Sequence, residues 1–149
     1  MKKKCFTFLF LFMATLTFAQ KTVVKTDAAP APIGPYSQAV EANGMVFVAG
    51  QIGLNPQTRQ LVAGGFEAEA TQIMENIKAV LGAAKLSMDD VVNTTIYVKD
   101  LANFTKINEI YGKYFSGNFP ARATVGVDNL PGGAALEIAV IAVRGPRKK

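Results

Sequence analysis

Two charged residues near the end of the chain are the strongest candidates for chemistry. Arg122 lies in the stretch 119–127, whose residues alternate as in a β-strand. Glu137 is the only ionisable residue of a second apolar stretch, 136–143, and the turn sequence 128–133 joins the two. An unpaired carboxylate is costly to bury. The two residues therefore form either a structural ion pair or a pocket for a small anion, in which Arg122 binds a carboxylate and Glu137 handles a proton.

The residue types that are missing narrow the chemistry further. The chain has no histidine, and its one cysteine, Cys5, lies in an N-terminal segment that we expect to be removed. Zinc sites, histidine-dependent triads and thiol nucleophiles are therefore disfavoured. We expect no metal site.

The sequence predicts two helices beside the strands that carry the charged residues. The clearer one is 67–84, where apolar residues recur with a period of 3.6. A second helix runs from Asp100, its cap, to about Phe115. Its inner stripe is predicted to be Phe104, Ile107, Tyr111, and Tyr114 or Phe115. Asn108 lies at the edge of this stripe, where it either satisfies backbone groups or belongs to a site.

The remaining segments predict strands. A first strand at 35–41 and a second at 45–51 flank an Asn-Gly turn, and 91–98 is rich in β-branched residues. Residues 21–32 are expected to be a loosely held lead-in. The resulting order, β-β-α-β-α-β-β, predicts a single α+β domain in which one mixed sheet carries both helices on one face.

The predicted sheet has more apolar surface than the two helices can cover. Strands 45–51, 91–98 and 136–143 carry apolar or β-branched residues on both faces. Two helices cover only one face, and no further segment is left for the other. We therefore expect the chain to form an oligomer through this second face.

Residues 1–19 have the features of a secretory signal peptide. Lysines at 2–4 precede an apolar run at 5–18, and Ala19 supplies a small residue for cleavage. The run is too short to span a membrane, which takes about 20 residues; an uncleaved anchor is the alternative. We expect an exported, periplasmic domain of residues 20–149 that has no membrane contact once the signal is removed.

The charge of this domain gives little reason to expect a nucleic-acid partner. Loss of three lysines reduces the 16 basic residues to 13, against 11 acidic ones, so the net charge falls from +5 to +2. Much of the remaining positive charge lies in the C-terminal tail, which is typical of a solvated end. Nucleic-acid binding is therefore not expected.

Five segments together resemble the Rid (YjgF-type) family of reactive-intermediate deaminases over nearly all of residues 26–144. They are Ile33–Ala39, Gly50–Ile52, Tyr97–Leu101, Phe119–Arg122 and Leu136–Val143. The resemblance implies a chorismate-mutase-like fold and a homotrimer with sites in the clefts between subunits. It also implies hydrolysis of 2-imino acids such as 2-iminobutanoate and 2-iminopropanoate to 2-oxo acids and ammonia, without a cofactor.

The family's functional positions match individual residues of this chain. The carboxylate-binding arginine matches Arg122, the water-positioning glutamate Glu137, the site tyrosine Tyr36, the backbone-contributing glycine Gly50, and the helical asparagine Asn108. Two positions depart from the family's pattern. Thr124 stands where a cysteine is common and is expected to keep its main-chain contact with substrate. Ala49 stands where a serine is frequent, which leaves the preferred substrate open.

Two other functions compete with imine hydrolysis. The first is an exported protein of the same fold that binds small carboxylates without significant turnover. The second is RNA cleavage, which is sometimes attributed to this family. The absence of histidine for acid/base cleavage and the small net charge count against that second function.

Overall fold

A computed structural model describes residues 20–145 of the chain. The predicted signal peptide, 1–19, and the last four residues lie outside this range, so cleavage after Ala19 stays a prediction. Within the described range, no helix combines the length and the apolar character needed to cross a membrane. These residues form one domain.

The elements follow the predicted order, with one additional strand at the start. They are β1 (Thr22–Val24), β2 (Ala39–Ala42), β3 (Met45–Gln51), α1 (Phe66–Ala83), β4 (Val91–Val98), α2 (Phe104–Gly112), β5 (Ala121–Gly126) and β6 (Leu136–Val143). The bounds of β3, β4 and β6 are those predicted, and α1 is shifted by one residue. A tight turn with positive φ at Asn43 and Gly44 connects β2 to β3, as the Asn-Gly pair predicts.

All six strands belong to one mixed sheet, in the order β1-β2-β3-β6-β4-β5. The neighbours are antiparallel except β4 and β5, which are parallel. A parallel pair needs a crossover connection, and α2 provides it. In the sheet, β4 lies between β5 and β6, although these two strands follow each other in sequence. The predicted α+β class with two helices on one mixed sheet is confirmed.

The two faces of the sheet differ sharply in burial. On the face covered by α1 and α2, the helix face, alternate residues of the central strands are buried: Val46, Val48, Ile96, Val98, Leu136, Ile138, Val140 and Ala142. Among residues 20–145, no helix packs against the opposite side, which we call the open face. Its row of side chains includes Phe47, Tyr97, Glu137, Ile141 and Val143. Phe47 is 42% exposed in the single chain, as the predicted uncovered face requires.

The N-terminal segment corrects two predictions. It is not a loose lead-in, because β1 pairs with β2 and Val24 is buried. The first predicted strand, 35–41, begins only at Ala39. Its preceding residue, Gln38, is buried and holds the segment in place: its amide N–H donates to the carbonyls of Thr26, Ala29 and Pro30 at 2.9–3.1 Å, and its Oε1 accepts from the Thr26 backbone N–H.

The second helix also differs in detail from the prediction. Asp100 does cap it, since its Oδ1 accepts a hydrogen bond from the backbone N–H two residues on at 2.9 Å. The first turn, Leu101–Asn103, is a 3₁₀ helix, and the α-helix begins at Phe104. Ile107, Tyr111 and Phe115 are buried as predicted. The prediction that Phe104 is a core residue is wrong: its side chain is 44% exposed and lies beside Arg122 instead.

Candidate active site

Arg122 and Glu137 lie on opposite faces of the sheet. Tyr97 of β4 is directly across from Glu137 on one side and from Val125 on the other, so these three residues share the open face. Because side chains alternate along a strand, Arg122, three residues before Val125, lies on the helix face. The contacts of Arg122 with α2 agree with this placement.

The guanidinium of Arg122 lies against three side chains of α2. Its Nη2 donates a hydrogen bond to Oδ1 of Asn108 at 2.5 Å. Its Cζ is 5.0 Å from the ring centroid of Tyr111 and 5.7 Å from that of Phe104. No carboxylate in the described range forms an ion pair with it. The positive charge is therefore held in place without being neutralised.

Glu137 faces a separate cavity of about 300 Å³. Most of the cavity wall is apolar and consists of Pro30, Ala31, Ile33, Ala49, Ile52, Leu54 and Pro131. Burial raises the pKa of the half-buried Glu137 carboxyl, and no donor among residues 20–145 hydrogen-bonds to it. A carboxylate in this state has free acceptor capacity, which suits it to hold a water molecule or to exchange a proton.

Gly50 and Tyr36 border the same cavity as Glu137. A Cβ atom at position 50 would lie 2.6 Å from Cδ of Glu137, so only glycine leaves room for the carboxylate. The Tyr36 hydroxyl accepts a hydrogen bond from the backbone N–H of Ile33 at 3.2 Å, and its ring is about half exposed. Tyr36, Gly50 and Glu137 thus form one group, which we call the acidic half-site.

Arg122 and Asn108 border a second cavity of about 420 Å³, beside Tyr111 and Phe119. We call Arg122 and Asn108 the basic half-site. Thr124 follows on the same face of β5, but its Oγ1 is buried without a hydrogen-bond partner in the described part of the chain. Its hydroxyl is therefore directed into the protein and not into either cavity.

A single protomer does not bring the predicted site together. The acidic and basic half-sites belong to different cavities on opposite faces of the sheet. The alternative of a structural ion pair between Arg122 and Glu137 is therefore excluded within one chain. A shared cleft requires the acidic half-site of one protomer to face the basic half-site of another.

Sequence reasoning missed the two aromatic contacts of Arg122. Phe104, Asn108 and Tyr111 are spaced i, i+4 and i+7, so they share one face of α2. That spacing was the available signal, but it was interpreted as a core stripe. Within residues 20–145, no group of three or more acidic, cysteine or histidine side chains is arranged to hold a metal ion.

The fold and the two half-sites define the class of protein. A family model described as Endoribonuclease L-PSP matches residues 26–144, most of the chain. The chain therefore belongs to this family, the Rid (YjgF-type) family.

Named relatives and a solved structure cover nearly the same length. The mouse 2-iminobutanoate/2-iminopropanoate deaminase is 46% identical over 126 residues, which cover 85% of this chain and 93% of the mouse protein. A RutC family protein of Pyrococcus horikoshii is 46% identical over 124 residues, covering 83% of this chain and 98% of that protein. The crystal structure of E. coli TdcF with bound serine matches with a TM-score of 0.79 at 39% identity, covering 83% of this chain and 99% of that one.

Proposed function

We propose that this protein hydrolyses 2-imino acids to 2-oxo acids and ammonia, without a cofactor, in clefts between the subunits of a homotrimer. The name of the mouse relative supports this reaction class. The serine bound to the TdcF structure has a carboxylate next to a nitrogen-bearing carbon, the same arrangement as in a 2-imino acid. The trimer itself is an expectation from the family.

Arg122 binds the substrate carboxylate in this proposal. A guanidinium has five N–H donors in a planar fork that matches a carboxylate through two parallel hydrogen bonds. One of these N–H groups donates a hydrogen bond to Asn108. No protein carboxylate in the described range accepts a hydrogen bond from the others. Arg122 therefore keeps enough donors for a bidentate contact, which lysine cannot make.

Glu137 positions and deprotonates the attacking water. Water adds to the electrophilic C2 of the imine, and its proton passes to the Glu137 carboxylate. The same proton then moves to the nitrogen, which gives a carbinolamine with a hydroxyl and an amino group on C2. Glu137 next transfers the hydroxyl proton to the nitrogen, the C2–N bond breaks, and ammonia leaves while the C2–O bond becomes the carbonyl of the 2-oxo acid. Imine hydrolysis has a modest barrier, so orientation plus one acid/base group, worth roughly 10²–10⁴-fold, is sufficient.

The observation that carries the proposal is the state of Glu137. Structural carboxylates that are half-buried are normally paired, since burial without a partner is costly. Glu137 has no partner in the described range, faces a largely apolar cavity, and has a raised pKa because of burial. The carboxylate occupies the space that a side chain at Gly50 would fill.

The test is an imine-hydrolysis assay with the purified chain 20–149. An amino-acid oxidase generates 2-iminopropanoate or 2-iminobutanoate, and its disappearance is followed. We expect acceleration by the wild type, loss of turnover with retained 2-oxo acid binding in Glu137→Gln, and loss of both in Arg122→Ala and Arg122→Lys. Arg59→Lys, at an exposed arginine, is the matched control.

The outcomes of this assay separate the competing functions. Unchanged turnover in both Arg122 variants would contradict the carboxylate assignment. Bound 2-oxo acid without any hydrolysis would favour the small-carboxylate binding protein. Salt-sensitive RNA binding by the protein without its basic tail would revive the ribonuclease alternative.

The proposal also includes export of the protein to the periplasm. If residues 1–19 direct secretion, the imines come from amino-acid oxidation in the periplasm. Expression of the full chain in a Gram-negative host, followed by mass measurement of the periplasmic protein, tests this location. We expect a mature chain that begins at Gln20, and an unprocessed mass would contradict it.

A further inference from the structure

The side chain of Arg122 is flanked by two aromatic rings from the same helix. Its Cζ lies 5.0 Å from the Tyr111 centroid and 5.7 Å from the Phe104 centroid, within the range of cation–π contacts. Between these two residues on α2, Asn108 accepts a hydrogen bond from the guanidinium. One face of α2 thus provides three contacts to one arginine.

The Tyr111 ring is itself fixed by the sheet. Its hydroxyl is 2.9 Å from Oγ1 of Thr94, and both residues are buried. Thr94 lies directly beside Arg122 in the parallel pairing of β4 and β5. The Tyr111 ring also packs on Phe115, with centroids 4.7 Å apart. The ring is therefore a rigid support for the guanidinium.

The kind of contact matters for binding an anion. A protein carboxylate beside Arg122 would occupy its N–H donors and neutralise its charge. An aromatic ring attracts the cation through its π-electrons and uses no N–H donor. The aromatic contacts therefore restrain the arginine while leaving its donors and its charge for a ligand.

We propose that Tyr111 and Phe104 are positioning residues that hold Arg122 in a preorganised, un-neutralised state for binding a substrate carboxylate. This inference rests on the proposed function of the same site. Core packing does not account for Phe104, because its side chain is 44% exposed at the start of α2. Contact with the arginine gives this exposed aromatic residue a role.

Phe104→Leu is the main variant, because an exposed side chain can be replaced without opening the core. We expect the dissociation constant for 2-oxobutanoate and the KM for 2-iminobutanoate to rise about 3- to 10-fold, the range of a cation–π contact. The kcat should stay within about twofold, since the ring contacts no reacting atom. Tyr111→Phe keeps the ring and should change the dissociation constant less than Tyr111→Leu.

A double-mutant cycle shows whether the rings act through the arginine. Phe104→Leu is combined with Arg122→Ala, and the free energy of unfolding is measured for all four proteins. We expect little further loss of stability when Phe104→Leu is added to Arg122→Ala, because the contact is already lost. Equal effects of Phe104→Leu in both backgrounds would overturn the inference and indicate a separate role, such as a contact with a neighbouring subunit.

An NMR measurement keeps this inference distinguishable from the proposed function. The Nε–H resonance of Arg122 should be displaced by ring currents in the wild type and should return towards the ordinary arginine position in Phe104→Leu. Wild-type protein that neither binds 2-oxobutanoate nor hydrolyses imines would overturn the proposed function. In that case, the Arg122 resonance alone would show whether Phe104 positions the arginine. An Arg122 resonance unaffected by Phe104→Leu would overturn that role.

Discussion

Glu137 shows how the surroundings of one residue set its chemistry. An exposed glutamate at this position would only add charge to the surface. Here the apolar cavity withdraws the carboxyl from water, and burial raises its pKa. A carboxylate whose pKa is higher than usual is a better proton acceptor, which the proposed reaction requires.

The raised pKa predicts the acid limb of the pH–activity profile. In the proposed reaction the deprotonated carboxylate is the active form, so activity should be lost as the pH falls through the pKa of Glu137. Because burial raises this pKa above its usual value of 4.5, the acid limb of kcat/KM should lie above pH 4.5. Rates measured from pH 4 to 8, with the uncatalysed hydrolysis subtracted at each pH, check this. A limb at or below the usual glutamate value would contradict it.

Two threonines on the helix face offer a matched pair of stability tests. The Thr94 hydroxyl is bonded to Tyr111, whereas the Thr124 hydroxyl is buried without a partner in residues 20–145. Thr94→Val should lower the free energy of unfolding by about 1–2 kcal/mol, since it leaves the Tyr111 hydroxyl unpaired. Thr124→Val should raise it by about 1 kcal/mol, because it removes an unsatisfied hydroxyl.

Chemical denaturation of the two variants measures both changes. A loss of stability in Thr124→Val as large as that in Thr94→Val would show that the Thr124 hydroxyl has a partner in the assembled protein.

At the level of elements, the first strand depends on one buried side chain. Both the side-chain nitrogen and the side-chain oxygen of Gln38 form hydrogen bonds with the backbone of the segment between β1 and β2. It also borders the cavity that Glu137 faces. The order of the N-terminal segment and the shape of the acidic half-site are therefore linked.

Gln38→Ala should detach this segment. Loss of its hydrogen bonds, with buried carbonyls left unpaired, is expected to cost about 2–4 kcal/mol of unfolding free energy. In hydrogen-exchange experiments, the amide of Thr26, which donates to Gln38, should lose its protection. Gln57→Ala, at an exposed glutamine, is the control. Unchanged protection at Thr26 would show that strand pairing alone orders the segment.

Helices and strands could be predicted from the sequence wherever a single local pattern was strong. The 3.6-residue period of α1 and the β-branched run of β4 predicted both elements almost to the residue. The three-residue β1 gave no such signal, because its pairing with β2 depends on a partner distant in sequence. Phe104 was misassigned because helical periodicity does not distinguish a core residue from one that packs on an arginine.

At the level of the whole molecule, the sequence singled out Arg122 and Glu137 as candidates, but it did not reveal their arrangement in one chain. Arg122 and Glu137 were each recognised from residue type and strand position. Their placement on opposite faces depends on the register of three strands, β6, β4 and β5. Register between distant strands is set by packing, which local sequence does not reveal.

Subunit mixing tests the shared cleft directly. Arg122→Ala and Glu137→Gln proteins should each be inactive. In the proposed homotrimer, mixing them should create clefts with an intact Arg122 from one chain and an intact Glu137 from its neighbour. With random mixing of equal amounts, about a quarter of the clefts in a cyclic trimer are intact, so about a quarter of wild-type activity should return. Unfolding and refolding the mixture, followed by the imine assay, measures it.

Two controls support the mixing experiment. Each variant refolded alone gives the background rate. Wild type refolded with the double variant gives the activity expected when inactive chains dilute active ones without complementing them. A mixture no more active than its separate components would contradict a cleft shared between chains and would leave the two half-sites functionally independent.

The close approach of Gly50 to Glu137 ties two positions that are far apart in the sequence. Position 50 cannot gain a side chain over evolutionary time while the acid at 137 stays in place, since any larger residue at 50 would displace it. A descendant of this gene with a side chain at position 50 must therefore have moved or abandoned its acid. That one codon would mark the lineages in which the proposed reaction has been replaced.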